Sequence, residues 1–254
     1  MTGTLFREDT GEGDPTLVLL HGFAGSHRVW EHVRRALPTG LRILAYDLPG
    51  HGRSLDCPGA GKAKATAQAV IDDLEARGIG RFHMAGHSFG GAVAVLAAHL
   101  APHAVASLAL FAPGGFGREI AGDLMVARAQ AGTDIEIAAA MQGMFGPHRT
   151  VPPESVAEAI ALNAVRGQRE KLVEIAALIV RDGNQGVFPA GMLENLTMPV
   201  HLAWGALDSV LPPRQAARAP GSFTLHHLEG AGHMLPEERP EAVARIIARS
   251  IGAV

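Results

Sequence analysis

A single cysteine, Cys57, stands among 254 residues, so no internal disulfide can form, a usage that fits a reducing compartment. No apolar run approaches the ~18 residues needed to cross a bilayer; the longest, such as Thr16–Leu20, are strand-sized. Residues Met1–Gly13 mix charges with glycine and lack the apolar centre of a secretion signal. Neither charge is in excess: 22 Lys and Arg face 25 Asp and Glu, a formal net charge of -3, and no basic helix or tail occurs. Nothing therefore favours nucleic acid or an anionic membrane surface. These absences predict a cytoplasmic chain without nucleic acid or membrane; a small-molecule substrate and a monomer or homodimer are expected.

What is present is core. Hydrophobic residues make up 47% of the chain, and no internal repeat or low-complexity tract interrupts them. Short apolar runs alternate with helical patterns, which predicts a mostly parallel sheet flanked by helices, the α/β class. Strands are expected at Thr16–Leu20, Leu41–Tyr46, Phe82–Ala85, Ser107–Phe111, Val200–Trp204 and Phe223–Leu228, with an edge strand near Thr4–Glu8. Helices are expected near His27–Ala36, Ala63–Ala76, Phe89–Ala101 and Pro240–Ser250. After Phe111 the rhythm breaks. Four helices are predicted there, over Ile120–Gln130, Thr133–Phe145, Pro153–Val165 and Arg169–Val180, with prolines and glycines between them. So long a helical block between two buried strands exceeds an ordinary connection. It predicts a core of residues 1–113 and 190–254 carrying an inserted helical cap, or lid, over residues 114–189. Met125, Met141, Met144 and Phe145 are candidates either for the lining beneath that cap or for its own packing.

The most informative segment is Gly86-His87-Ser88-Phe89-Gly90-Gly91, between an expected strand and a small-residue helix. A glycine-rich chain invites chance matches to G-x-S-x-G; the strand before and the helix after lift this one above them. Such a turn exposes a serine in strained backbone, with Gly86 and Gly90 supplying room on either side. Ser88 is the candidate nucleophile. A tetrahedral intermediate needs two donors aimed at its oxygen. The backbone N–H of Phe89 and, by position in the loop His21-Gly22-Phe23, that of Phe23 are the candidates. His21 reads as a brace of that loop, beside Gly22, and His87 as part of the supporting turn.

The serine needs an imidazole, and the imidazole an orienting carboxylate, in the chain order Ser, acid, His. Asp208 follows the expected strand Val200–Trp204, whereas Phe111 is followed by Ala112-Pro113 and offers no acid. A turn-capping role is the alternative reading of Asp208. His233, in Gly230-Ala231-Gly232-His233-Met234 before the last helix, is the candidate base among 13 histidines. His83 and His87 are spaced i, i+4, but a strand and turn do not put them on one face, and no H-E-x-x-H occurs. No metal and no cofactor is expected.

Together His21-Gly22-Phe23, Asp47–Ser54, the Ser88 turn, Trp204–Asp208 and Gly232-His233 resemble the α/β-hydrolase superfamily over essentially the whole chain. That resemblance implies the α/β-hydrolase fold and makes the Asp47–Ser54 loop structural, which sets Asp47 aside as a triad acid. Within the superfamily, Phe111–Ile120 resembles capped serine hydrolases related to meta-cleavage-product hydrolases and to hydrolases encoded with acetoin dehydrogenase. Carbon–carbon hydrolases of that group carry Asn where this chain has His87. Haloalkane dehalogenases and epoxide hydrolases use aspartate where it has Ser88. The implied activity is hydrolysis of a small or medium, largely apolar carboxylic ester through an acyl-enzyme on Ser88. The alternatives are a carbon–carbon hydrolase, thioesterase, acyltransferase or perhydrolase with the same triad, or a low-turnover ligand sensor of the same fold.

Overall fold

The apolar runs pair into one sheet. In the computed structural model the described residues are 4–189 and 191–253, so the expected core limits at residues 1–3, 190 and 254 lie outside them. Seven described strands take part: β1 (Arg7–Thr10), β2 (Thr16–Leu20), β3 (Arg42–Tyr46), β4 (Phe82–His87), β5 (Val105–Phe111), β6 (Val200–Gly205) and β7 (Thr224–Leu228). Their order is β1-β3-β2-β4-β5-β6-β7; β1 is antiparallel to β3, and every other pairing is parallel. Leu17–Leu20, Leu44–Tyr46 and Leu108–Phe111 are buried, as strands covered on both faces require.

The helices supply those covers: α1 (Glu31–Ala36), α2 (Ala63–Ala76), α3 (Phe89–Leu100) and α9 (Pro240–Ser250). Between β5 and β6 run α4 (Gly122–Gln130), α5 (Asp134–Gln142), α6 (Pro153–Asn163) and α7 (Gln168–Ile179), and the short α8 (Leu235–Glu238) precedes α9. Part of the helical segment has a small apolar cluster of its own, including Ile137, Met141, Phe145, Val151 and Ala159. Thr133 caps α5 through a reciprocal bond set with Glu136, a sequence-encoded helix start.

Some boundaries differ from the sequence expectation. The edge strand is Arg7–Thr10 rather than Thr4–Glu8, because its partners run from Tyr46 back to Ile43. The expected helix His27–Ala36 is split into a 3-10 turn over His27–Trp30 and α1. The expected Thr133–Phe145 helix stops at Gln142, where Gly143 takes over.

Because the sheet is parallel, the carboxyl ends of β2 to β7 share one edge. The chain leaves β2 for β3 on one side and returns to β4 on the other, and ligands of open α/β sheets bind at such a switch point. The loop after β4 can come close to the loop after β2 only because it is glycine. A Cβ on Gly90 would sit 2.4 Å from both the Leu20 and His21 carbonyl oxygens, and one on Gly86 would sit 2.4 Å from the Gly90 carbonyl oxygen. Backbone cannot retreat as a flexible side chain can. Gly90→Ala is therefore expected to cost about 1–3 kcal/mol or more, read as a lowered urea midpoint; an unchanged midpoint would contradict this packing.

Candidate active site

Ser88 sits between β4 and α3 with φ 52° and ψ -116°. Left-handed φ values outside glycine also occur at Ala24 and Ala112, in the loops after β2 and β5, so strain of about 1–3 kcal/mol per residue gathers along this edge. The turn is held by its backbone. Ser88 N–H donates to the Phe111 carbonyl at 2.9 Å, and the Ser88 carbonyl accepts from Gly91, Ala92 and Gly114 at 3.0–3.1 Å. Neither the Phe23 nor the Phe89 N–H donates a hydrogen bond among the described residues. Phe89 opens α3, and first-turn N–H groups of a helix lack internal acceptors.

Asp208 and His233 come together from the loops after β6 and β7. The Asp208 side chain is buried, and its Oδ2 lies 2.8 Å from His233 Nδ1. Its Oδ1 accepts from the Val210 and Leu211 N–H groups, both at 2.8 Å. The carboxylate is thus fully committed: one oxygen to the backbone that fixes it, the other to the imidazole. Acceptance at Oδ2 places the His233 proton on Nδ1 and leaves Nε2 with its lone pair, a tautomer assigned from the network.

His233 is held on three sides. Its N–H donates to the Met144 carbonyl at 3.0 Å, and its carbonyl accepts from Leu235 N–H and from His87 Nε2, both at 2.9 Å. The sequence did not single out Glu238. This buried carboxylate accepts from Gly146 and Gly232 N–H groups through Oε2, at 3.0 and 2.9 Å, and from Met234 N–H through Oε1 at 3.1 Å. One side chain therefore ties both flanks of His233 to the stretch after α5. In sequence the Glu237-Glu238 pair reads only as the acidic first turn of a helix.

His21 links two loops. Its Nδ1–H donates to the Gly22 carbonyl at 2.7 Å and its Nε2 accepts from Leu48 N–H at 2.9 Å. His51, edge-on to His21, accepts the Ala24 N–H at 3.2 Å. Asp47 binds His27 N–H and Nδ1 through Oδ1 and Arg53 N–H through Oδ2. Burial opposes its charge, but these donors hold its carboxyl down near 2. Among the described residues no hydrogen bond joins it to the Asp208–His233 pair.

Two cavities border the Phe23 loop. One, of about 350 Å³, is bounded by Ser88, Phe89 and Phe23 and by apolar groups such as Leu96, Phe188 and Met192; Met125 faces it. The other, of about 50 Å³, is bounded by Phe23, His87, Arg128, Glu158 and Glu237; Met141 and Met144 face it. Phe145 lines neither and packs in the α5–α6 cluster. Among the described residues no group of three or more His, Cys, Asp or Glu side chains could hold a metal ion.

Burial pushes the imidazoles His21 and His51 down to about 4 and 3, and burial with the neighbouring His233 pushes His87 well below its ordinary value. Such groups stabilise the fold fully above the unfolded value near 6.5 and lose that contribution as the pH falls toward the folded values. Glu237 acts oppositely: burial lifts it to about 7, so its contribution is present below the unfolded value and lost as the pH rises through 7. Three histidines outweigh one glutamate. Stability is expected to fall by on the order of 3 kcal/mol between pH 7 and pH 5, measured by urea unfolding at constant ionic strength; a flat profile would contradict neutral buried imidazoles.

Residues 17–246 match the alpha/beta hydrolase family. The dihydrolipoyllysine-residue acetyltransferase component of the acetoin cleaving system of Pseudomonas putida is 33% identical over 233 residues, covering 92% of this chain and 62% of that protein. The chain thus spans less than two thirds of the length of its acetoin-system relatives. Among solved structures, a meta-cleavage product hydrolase (CumD) from Pseudomonas fluorescens superposes with a TM-score of 0.83 at 18% identity, over 98% of this chain and 94% of that one. Carboxylesterase CesB from Bacillus subtilis superposes at 0.81 and 21% identity, over 98% and 92%. At such identities these structures speak for the fold. No described helix is long and apolar enough to cross a membrane.

Proposed function

This chain belongs to the alpha/beta hydrolase family, and on that premise we propose that it is a serine hydrolase cleaving carboxylic esters of largely apolar acids through an acyl-enzyme on Ser88. The observation that carries the reading is the conjunction of Ser88 in its strained turn with a buried, backbone-fixed Asp208–His233 pair. Acyl transfer needs a nucleophile, a base with a free imidazole nitrogen, and donors for the oxyanion.

In this mechanism His233 Nε2 takes the Ser88 hydroxyl proton as Oγ bonds to the ester carbonyl carbon, and the Phe23 and Phe89 N–H groups receive the oxyanion. The tetrahedral intermediate collapses, the carbon–oxygen bond to the alcohol breaks, and His233 passes its proton to that oxygen. Water then enters by the same route in reverse, with His233 again as base, and frees the acid. Asp208 keeps Nδ1 protonated and stabilises the transient imidazolium. Gly22, Gly86 and Gly90 shape the turn, His21 braces the Phe23 loop, and His87 supports the turn while bonding the His233 carbonyl.

We read residues 114–189 as a cap over the sheet edge. Met125 and Phe188 from that stretch close the larger cavity, whose walls suit an alkyl or acyl chain.

The test is a panel of vinyl esters from acetate to dodecanoate. Turnover is expected to rise to a medium chain and then fall. Ser88→Ala is expected to abolish it with an unchanged unfolding midpoint, and Asp208→Asn to lower kcat by on the order of 10⁴-fold. A flat panel at background, with cleavage of a vinylogous diketone instead, would replace esterolysis by carbon–carbon hydrolysis.

A further inference from the structure

We propose that the smaller cavity is a leaving-group subsite that selects an alcohol carrying its own hydroxyl, so that the natural substrate is an ester of an apolar acid with a short diol or polyol. The proposal rests on the esterase reading of Ser88 and names the half of the substrate which that reading leaves open.

The side of the serine follows from the proton transfer. The leaving oxygen must lie beside the imidazole that protonates it. The smaller cavity is bounded by the neighbours of that imidazole: His87, which bonds its carbonyl, Met234, which follows it, and Met144, whose carbonyl accepts its N–H. The larger cavity is bounded instead by Ser88 and by Phe89 and Ala92 of α3. Phe23 borders both. Acyl chain and alcohol are thereby parted at the Phe23 loop.

Two of the residues that line the smaller cavity, His87 and Glu237, each hold a buried polar atom without a partner. His87 is 2% exposed, its Nε2–H is spent on the His233 carbonyl, and its Nδ1 has no partner. Burial keeps that ring neutral, so Nδ1 is an acceptor awaiting a donor. Glu237 is partly exposed as a residue, yet its Oε2 is shielded from solvent and also unpartnered. Arg128, 2% exposed, offers a guanidinium whose bonds to Asn163 Oδ1 and the Ala24 carbonyl are long, at 3.2 and 3.4 Å. A buried polar atom without a partner is costly. An alkyl group would leave His87 Nδ1 and Glu237 Oε2 unsatisfied, and a carboxylate would face the Nδ1 lone pair and two glutamates, Glu158 and Glu237. A neutral hydroxyl can donate to Nδ1 or Glu237 and accept from Arg128 at once. A volume of about 50 Å³ corresponds to about three or four water-sized positions, which suits a two- or three-carbon hydroxylated fragment and excludes a second acyl chain.

The test compares 2-hydroxyethyl hexanoate with propyl hexanoate, equal in heavy atoms and differing only in the terminal hydroxyl, with vinyl hexanoate as reference. Wild type is expected to prefer the hydroxyethyl ester in kcat/KM by at least about tenfold. Glu237→Leu is expected to bring the two within about threefold while vinyl hexanoate turnover holds, and Glu237→Gln, which keeps an acceptor, to restore most of the preference. Should Glu237→Leu not fold, the wild-type ratio decides alone. Equal rates on the two esters, with vinyl hexanoate cleaved in a Ser88-dependent way, would overturn the subsite and leave the esterase reading standing. Absence of vinyl hexanoate cleavage would overturn both.

Discussion

The loop after β2 and the helix after β4 approach so closely that Gly90 has no space for a Cβ, and the start of that helix leaves none at Gly86. Much else follows from this contact. It fixes the serine at φ 52° and brings the Phe23 loop alongside the start of α3, where the N–H groups of Phe23 and Phe89 have no acceptor among the described residues. A strained residue persists only where its surroundings over-determine it. Here the carbonyl of Ser88 carries three bonds and its N–H a fourth.

The other half of the site is assembled by buried polar groups acting on backbone. His21 and His51 tie the loops after β2 and β3, while His87 and Glu238 hold the loop of His233. Burial keeps each ring neutral; His21 and His51 both donate and accept, and His87 donates. Glu238 has a further consequence, because its bond to Gly146 joins the helical segment to the residues beside the imidazole. Movement of that segment would therefore be felt at His233.

The sequence conveyed the sheet well because its central strands are largely apolar, β2 and the later part of β5 continuously so. β2, β4 and β6 lie within a residue or two of the apolar runs that predict them. The edge strand was legible only in part, since its placement comes from pairing with β3 rather than from its own pattern. Ser88, Asp208 and His233 could be picked out by motif and chain order, which local sequence carries. Glu238, His51 and the His87 Nε2 bond to the His233 carbonyl could not: their roles depend on distant partners, Gly146, Ala24 and His233, which lie 92, 27 and 146 residues away. The smaller cavity is likewise built from the β2 loop, α4, α6 and α8, and no window of sequence brings these together.

A long-chain alkyl fluorophosphonate is the most direct probe of Ser88 as a nucleophile activated by His233. Intact-mass analysis with peptide mapping is expected to show one adduct per chain, on Ser88, formed orders of magnitude more slowly in His233→Ala. An adduct on another residue, or labelling of Ser88 at the same rate without His233, would contradict the account.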